Sequence, residues 1–172
     1  LTTLNGQWCR ALGRLLIHES IYQTILEAAL QKLTNLRIGD ALRLETQLGP
    51  LANPAHKARV EAAIHALQAK GAHAHSTAPV PTSGFYLSPT LLTNAQPQDT
   101  LEEIFGPIAV VHTFRSDEQA VELANQPPYG LGGYVFSKDE EHALQIARQM
   151  NTGGVKINGV SLLELNVDAP RP

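Results

Sequence analysis

The order in which strands and helices alternate constrains this chain more than any other feature. Its clearest segment is "IAVVHTF", residues 108–114, a strongly apolar strand. Ser116 caps the helix after it, which carries Ala120, Val121, Leu123 and Ala124. Upstream, "RLLIHES" at 14–20 reads as a buried strand, and Ser20 caps a helix with Ile21, Ile25, Ala29, Leu30 and Leu33 on its apolar face. The glycines and proline of "RIGDALRLETQLGPL", residues 37–51, break that pattern into an extended connection. Asn53 and Pro54 make a cap and first turn for a helix with Val60, Ile64 and Leu67 along one side, stopped at Gly71. "GAHAH" and "GFYLSPTLL" predict short strands around a Pro- and Ser-rich loop at 77–84. "GLGGYVFS" predicts another strand. Ser137 and Glu140 then form a capping box for a helix lined by Leu144, Ala147 and Met150, and "GGVKING" closes with one more strand. The repetition predicts an α/β fold, a twisted and mainly parallel sheet with helices on both faces.

At 172 residues the chain is long enough for one domain with a real core. We expect residues 1–172 to be one domain, incomplete at both ends, because Leu1 begins abruptly and the tail "NVDAPRP" has nothing to pack against. A net charge of −3 and the lack of any Lys and Arg cluster argue against nucleic-acid binding. No apolar run reaches the about 20 residues that span a bilayer. The single cysteine rules out an internal disulfide, which favours a reducing compartment and hence the cytoplasm.

That cysteine is Cys9, in "LNGQWCRALGR". Free cysteines are usually buried and inert, but a glycine turn flanked by Gln7, Trp8 and Arg10 is not a core-strand neighbourhood. A thiol in a loop beside a cation is better suited to nucleophilic work. Glu102 and Glu103 before "IFGP" read, on their own, as a solvated helix end, and Phe105 as a core anchor. Two imidazoles of "HAH" at 73–75 share a strand face, with His65 nearby, but no acidic or sulfur ligand follows at metal spacing. No Gly-rich phosphate loop of the G-x-G-x-x-G or P-loop kind occurs in the chain. Asn158 in "KINGV" reads as a turn former through side-chain to backbone bonding.

Six pieces together resemble the catalytic domain of the aldehyde dehydrogenase superfamily: "GQWC", "GDALRLETQLGPL", "GFYLSPTLL", "EEIFGP", "NQPPYGLGGYVF" and "GGVKING". The resemblance implies NAD(P)-dependent oxidation of an aldehyde to a carboxylic acid. Cys9 would attack the aldehyde carbon, pass through a thiohemiacetal and a thioester, and lend its backbone N–H to an oxyanion hole. It further implies that Glu103 binds the ribose hydroxyls beside a nicotinamide and that Phe105 packs near the ring, with NAD or NADP as cofactor. Trp8, Arg10 and Leu163 would line the substrate channel, Leu163 within "VSLLEL". The main part of the dinucleotide site, the general base and a second oxyanion donor would come from outside the chain, leaving the isolated chain inactive. The parent protein would be a homodimer or homotetramer.

Two positions depart from the family pattern. Thr2 stands where an aromatic or aliphatic residue is usual, and Arg10 stands where a small or aliphatic one is. Arg10 either pairs with a carboxylate on the aldehyde or points to solvent. Two other function classes stay open: a non-catalytic relative kept for binding or assembly, and a hydrolase pairing Cys9 with His18 or His112.

Overall fold

The structure is a computed structural model that describes residues 1–160. It divides into two compact units, Leu1–Arg115 and a second one that starts at Ser116.

The first unit is built on a four-stranded sheet. Strands β1 (Arg14–His18), β2 (His73–Ser76), β3 (Thr90–Thr93) and β4 (Ile108–Phe114) lie in the order β1-β4-β3-β2. β4 runs parallel to β1 and to β3, and only β2 is antiparallel, so the sheet is mostly parallel as expected. β4 is central because it is apolar on both faces. Alternation sends Ile108 and Val110 to one side and Ala109 and Val111 to the other.

Each face carries one helix. On the first, α2 (Pro54–Ala69) brings Val60, Ile64 and Leu67 against Leu92, Ile108 and Val110. On the second, α1 (Tyr22–Thr34) brings Leu26 and Leu33 against Ile17, Leu91, Ala109 and Val111. The α2 start matches its sequence signal: Asn53 Oδ1 accepts from the His56 N–H at 2.8 Å, and Pro54 occupies the first turn.

The start of α1 differs from its sequence signal. Ser20 does not cap it; Ile21 is the capping residue and makes no side-chain bond, while a short 3-10 turn, Glu19–Ile21, precedes it with His18 Nδ1 accepting from Ser20 N–H. Ile21 and Ile25 are exposed, and the inward stripe is Tyr22, Leu26, Ala29, Leu30 and Leu33. Ala29, Leu30 and Leu33 face the sheet as expected, and only in the first turns do Tyr22 and Leu26 take the inward places of Ile21 and Ile25.

In the second unit, α3 (Asp117–Asn125) is capped by Ser116 Oγ, which accepts from Gln119 N–H. β5 (Gly133–Val135) pairs in parallel with β6 (Val155–Ile157), and α4 (Glu140–Ala147) lies between them in sequence. Asp139, not a Ser137–Glu140 box, caps α4, through a 3.0 Å bond from His142 N–H to Oδ1. Ala143 is the buried residue of α4, and Leu144 is exposed.

Two asparagines brace this unit. Asn125 donates to Gln149 C=O and accepts from Asn151 N–H. Asn158, at φ +52°, accepts from Ser137 N–H at 3.0 Å and donates to Ser137 C=O at 2.8 Å, the turn-fixing role its sequence context suggests.

Candidate active site

All the site residues expected from the sequence lie in the first unit, apart from Leu163, which falls outside the described residues. Cys9 occupies a loop corner. Ala11 N–H donates to Trp8 C=O at 2.8 Å, closing a four-residue turn with Cys9 and Arg10 at its two central positions. In such a turn the side chains at the corner project outward. Cys9 is accordingly exposed, while Trp8 and Arg10 are half-buried. No acceptor among the described residues takes the Cys9 N–H.

Its own turn and two segments far away in sequence hold this loop. Leu4 C=O accepts from Gln7 N–H at 3.0 Å across a turn whose centre is Asn5-Gly6, both at positive φ. Asn5 Oδ1 accepts from Gly49 N–H at 2.7 Å, and its Nδ2 donates to Pro50 C=O at 3.2 Å. Gln7 Oε1 accepts from Ala52 N–H at 2.8 Å. Gly6 is buried flat against Gly106 and Pro107, where a Cβ would overlap their backbone atoms. Gly106 in turn has Val60 of α2 3.2 Å from where its Cβ would stand.

The Gly106-Pro107 turn hands the chain directly to β4. Ile108 N–H donates to Gly106 C=O at 2.7 Å, and Thr90 N–H donates to Pro107 C=O at 2.9 Å to begin the β3–β4 pairing. The residues just before it, Glu102, Glu103 and Phe105, are exposed. Phe105 is therefore not the core anchor its hydrophobicity suggests when read alone.

The structure adds one residue to this site. His56, in the first turn of α2, lies with its ring centroid 6.3 Å from that of Phe105. Arg59 Nη2 donates to His56 Nδ1 at 3.1 Å, which leaves the ring proton on Nε2. That buried Nε2–H has no acceptor among the described residues. Leaving a buried donor unpaired is costly. An exposed carboxylate, an exposed aromatic face and a buried orphan donor form a set that fits an oxygen-rich ligand carrying a flat ring, as a nicotinamide nucleotide does. A polar residue inside a helix start carries no sequence signal for such a role; only its proximity to Phe105 reveals it.

The histidines considered as partners for Cys9 are engaged elsewhere. His112 is buried and donates from Nε2 to Thr100 Oγ1 at 3.0 Å, because the Thr100 hydroxyl proton is used on Pro97 C=O. Burial, then the nearby Arg14 charge, pushes its pKa down to about 4. His18 Nδ1 lies 2.8 Å from Ser20 Oγ. His75 Nε2 contacts Thr93 Oγ1, and among the described residues no three His, Cys, Asp or Glu gather as a metal site. Nor is any helix among them long and apolar enough to cross a membrane.

The geometry ties the cysteine loop to the "EEIFGP" segment, and the aldehyde dehydrogenase family model matches residues 1–170. This chain belongs to the aldehyde dehydrogenase family. Betaine aldehyde dehydrogenase of Bacillus subtilis is 34% identical over 160 residues, covering 89% of this chain and 33% of the relative. Peroxisomal aminoaldehyde dehydrogenase 2 of Malus domestica is 36% identical over 159 residues, covering 90% and 32%. Among solved structures, an E194S mutant of aldehyde dehydrogenase from Bacillus cereus aligns with TM-score 0.90 and 31% identity, over 97% of this chain and 34% of that one. Betaine aldehyde dehydrogenase from Staphylococcus aureus in complex with NAD+ aligns with TM-score 0.86 and 30% identity, over 91% and 33%. The chain thus spans about a third of the length of these relatives.

Proposed function

We propose that the protein carrying this chain oxidises an aldehyde to a carboxylic acid with NAD or NADP, and that Cys9 is its nucleophile. The observation that carries this reading is the packing of Gly6 on Gly106 and Pro107, which links the cysteine loop to the segment bearing Glu103 and Phe105. The Cys9 thiolate adds to the aldehyde carbon, and the new C–S bond leaves negative charge on the former carbonyl oxygen. The Cys9 N–H, unused by any described acceptor, donates to that oxygen and stabilises it. A nicotinamide held beside Cys9 would supply the hydride acceptor that this oxidation needs. Water then cleaves the C–S bond, releasing the acid and the thiolate.

Glu103, Phe105 and His56 are the residues of this chain that would hold the cofactor. The two carboxylate oxygens of Glu103 would accept from a ribose diol, Phe105 would pack against the ring, and His56 Nε2–H, unpartnered among the described residues, would find an acceptor there. The phosphates and the water-activating base belong to the part of the protein outside this chain, and the 172 residues alone do not turn over.

Arg10 bears on substrate choice. A cation next to the nucleophile in sequence would attract a carboxylate on the aldehyde if it faces the channel. The reading this supports is an aldehyde that carries a carboxylate, as in a semialdehyde; two relatives are named for betaine aldehyde and for aminoaldehydes. The lone thiol suits the cytoplasm, and the whole protein acts as a homodimer or homotetramer; relatives named for the peroxisome and chloroplast belong to other compartments.

Two measurements on the full-length protein test this. Cys9→Ser should cut aldehyde-dependent NAD(P)H formation by at least about a thousandfold; a variant that keeps its rate sinks the nucleophile assignment. Arg10→Ala should lower kcat/KM for a semialdehyde about tenfold or more and leave a neutral aldehyde of equal length nearly unchanged. Equal losses on both substrates remove the pairing role.

A further inference from the structure

Leu4, Asn5 and Gly6 stand at φ +49°, +59° and +68°, three consecutive residues in the left-handed region. Gly6 is there because nothing larger fits against Gly106 and Pro107. Asparagine tolerates this region, but leucine does not gain from it, and the exposed Leu4 side chain buries little in return. Backbone held this way persists where its surroundings over-determine it.

Here the surroundings are identifiable. Both ends of the Asn5 amide are used across the loop, on Gly49 N–H and Pro50 C=O. The fit is close, since a Cβ on Gly49 would stand 3.1 Å from Asn5 Nδ2. Gln7 adds a third bond, on Ala52 N–H. The segment that receives them is rigid: Leu48 and Leu51 are 1% and 3% exposed, and Asn53 caps α2 immediately afterwards. The last fixed point lies two residues before Cys9.

We propose that Asn5 and Gln7 are positioning residues for the nucleophile. Their three bonds to residues 49–52 lock the left-handed turn and thereby set where the Cys9 sulfur and backbone N–H stand relative to the aldehyde. The inference rests on the reading of Cys9 as the nucleophile. Neither residue touches the reacting atoms; both act through the loop.

The test uses the full-length enzyme. Asn5→Gly keeps the left-handed backbone and deletes both amide bonds, Asn5→Asp keeps only the acceptor for Gly49, and Gln7→Met removes the bond to Ala52. kcat, KM, the iodoacetamide alkylation rate of Cys9 and the thermal midpoint are measured for each. A displaced nucleophile costs on the order of 10- to 100-fold. Asn5→Gly should therefore lose that much in kcat with KM nearly unchanged, Gln7→Met should lose about tenfold, and Asn5→Asp should recover part of the loss. A lower thermal midpoint with kcat and alkylation rate within about twofold of wild type would overturn the proposal and leave a purely structural clasp. If Asn5→Gly does not fold, Gln7→Met decides by the same criterion. Cys9→Ser separates the two readings: an active serine variant removes the nucleophile itself, whereas an inactive one beside a fully active Asn5→Gly removes only the clasp.

Discussion

Asparagine side chains do the same thing in both units of this molecule, with different consequences. Asn5 in the first unit, and Asn125 and Asn158 in the second, each use one side-chain amide to donate to one backbone group and accept from another. Asn5 and Asn158 also share a left-handed backbone. What differs is the neighbour. Asn158 closes on Ser137 between a strand end and a helix start, whereas Asn5 holds a loop that carries an exposed thiol four residues later. A hydrogen-bonded clasp becomes functional through what it positions, not through its own chemistry.

The sharpest way to break the comparison is at the glycine beside Asn5. Gly6→Ala should destabilise the protein by about 3–5 kcal/mol and abolish activity, since its Cβ meets backbone on a left-handed residue. Urea denaturation with near wild-type stability would show that the loop can leave Gly106 at little cost.

A second effect sharpens what belongs to the core rather than the clasp. His112 is neutral when folded, with a pKa near 4, and takes up its proton near 6.5 when unfolded. Between those values the unfolded state binds more protons, so stability falls as pH drops through that window, by roughly 3 kcal/mol from this one group. Urea midpoints measured from pH 7 to 4 should be flatter for His112→Leu than for wild type; parallel curves would sink the assignment.

Asn158→Ala tests the second unit directly. It should cost about 2 kcal/mol through two lost bonds and a strained φ, while the kcat of the folded enzyme stays within about twofold. A loss of kcat comparable with that expected for Asn5→Gly would erase the distinction between the two clasps.

The smallest expected effect lies at the His142–Asp117 pair, 2.6 Å apart and half exposed. The bond to Asp117 raises the His142 pKa. Its contribution is therefore complete below about 6.5, the unfolded value, and lost as pH rises through the raised folded value. Asp117→Asn should lower the thermal midpoint slightly at pH 6 and not at pH 9, and the His142 titration seen by NMR should move down. An unmoved titration would show the pair to be a passive contact.

Much of the fold was legible because its signals are local. The Asn53-Pro54 start, the Ser116 cap and the apolar β4 each depend on residues within a turn or a pleat of one another. The failures share a cause. Ser20 and Ser137 look like caps, yet His18 and Asp139 accept the bonds, because a cap is decided by where the helix begins to pack. Choosing Leu26 over Ile25 likewise needed the sheet, since both stripes have helical spacing. Of the residues proposed for the site, Cys9, Glu103 and Phe105 come from motif resemblance, whereas His56 does not: its Nε2, unpartnered among the described residues, is buried only because α2 sets it beside Phe105.

The sequence by itself determined the α/β alternation, the central apolar strand, the one cysteine in a glycine turn and the family to which those motifs point. Periodicity, capping and composition act over a few residues, so the chain carries them without folding. The tertiary structure alone decided that Gly6 meets Gly106, that Asn5 and Gln7 meet residues 49–52, and that a histidine donor waits beside Phe105. Those contacts join positions about 45 to 100 residues apart, and no local preference specifies them. They exist because β4 is the central strand of the sheet and α2 covers the end from which it starts.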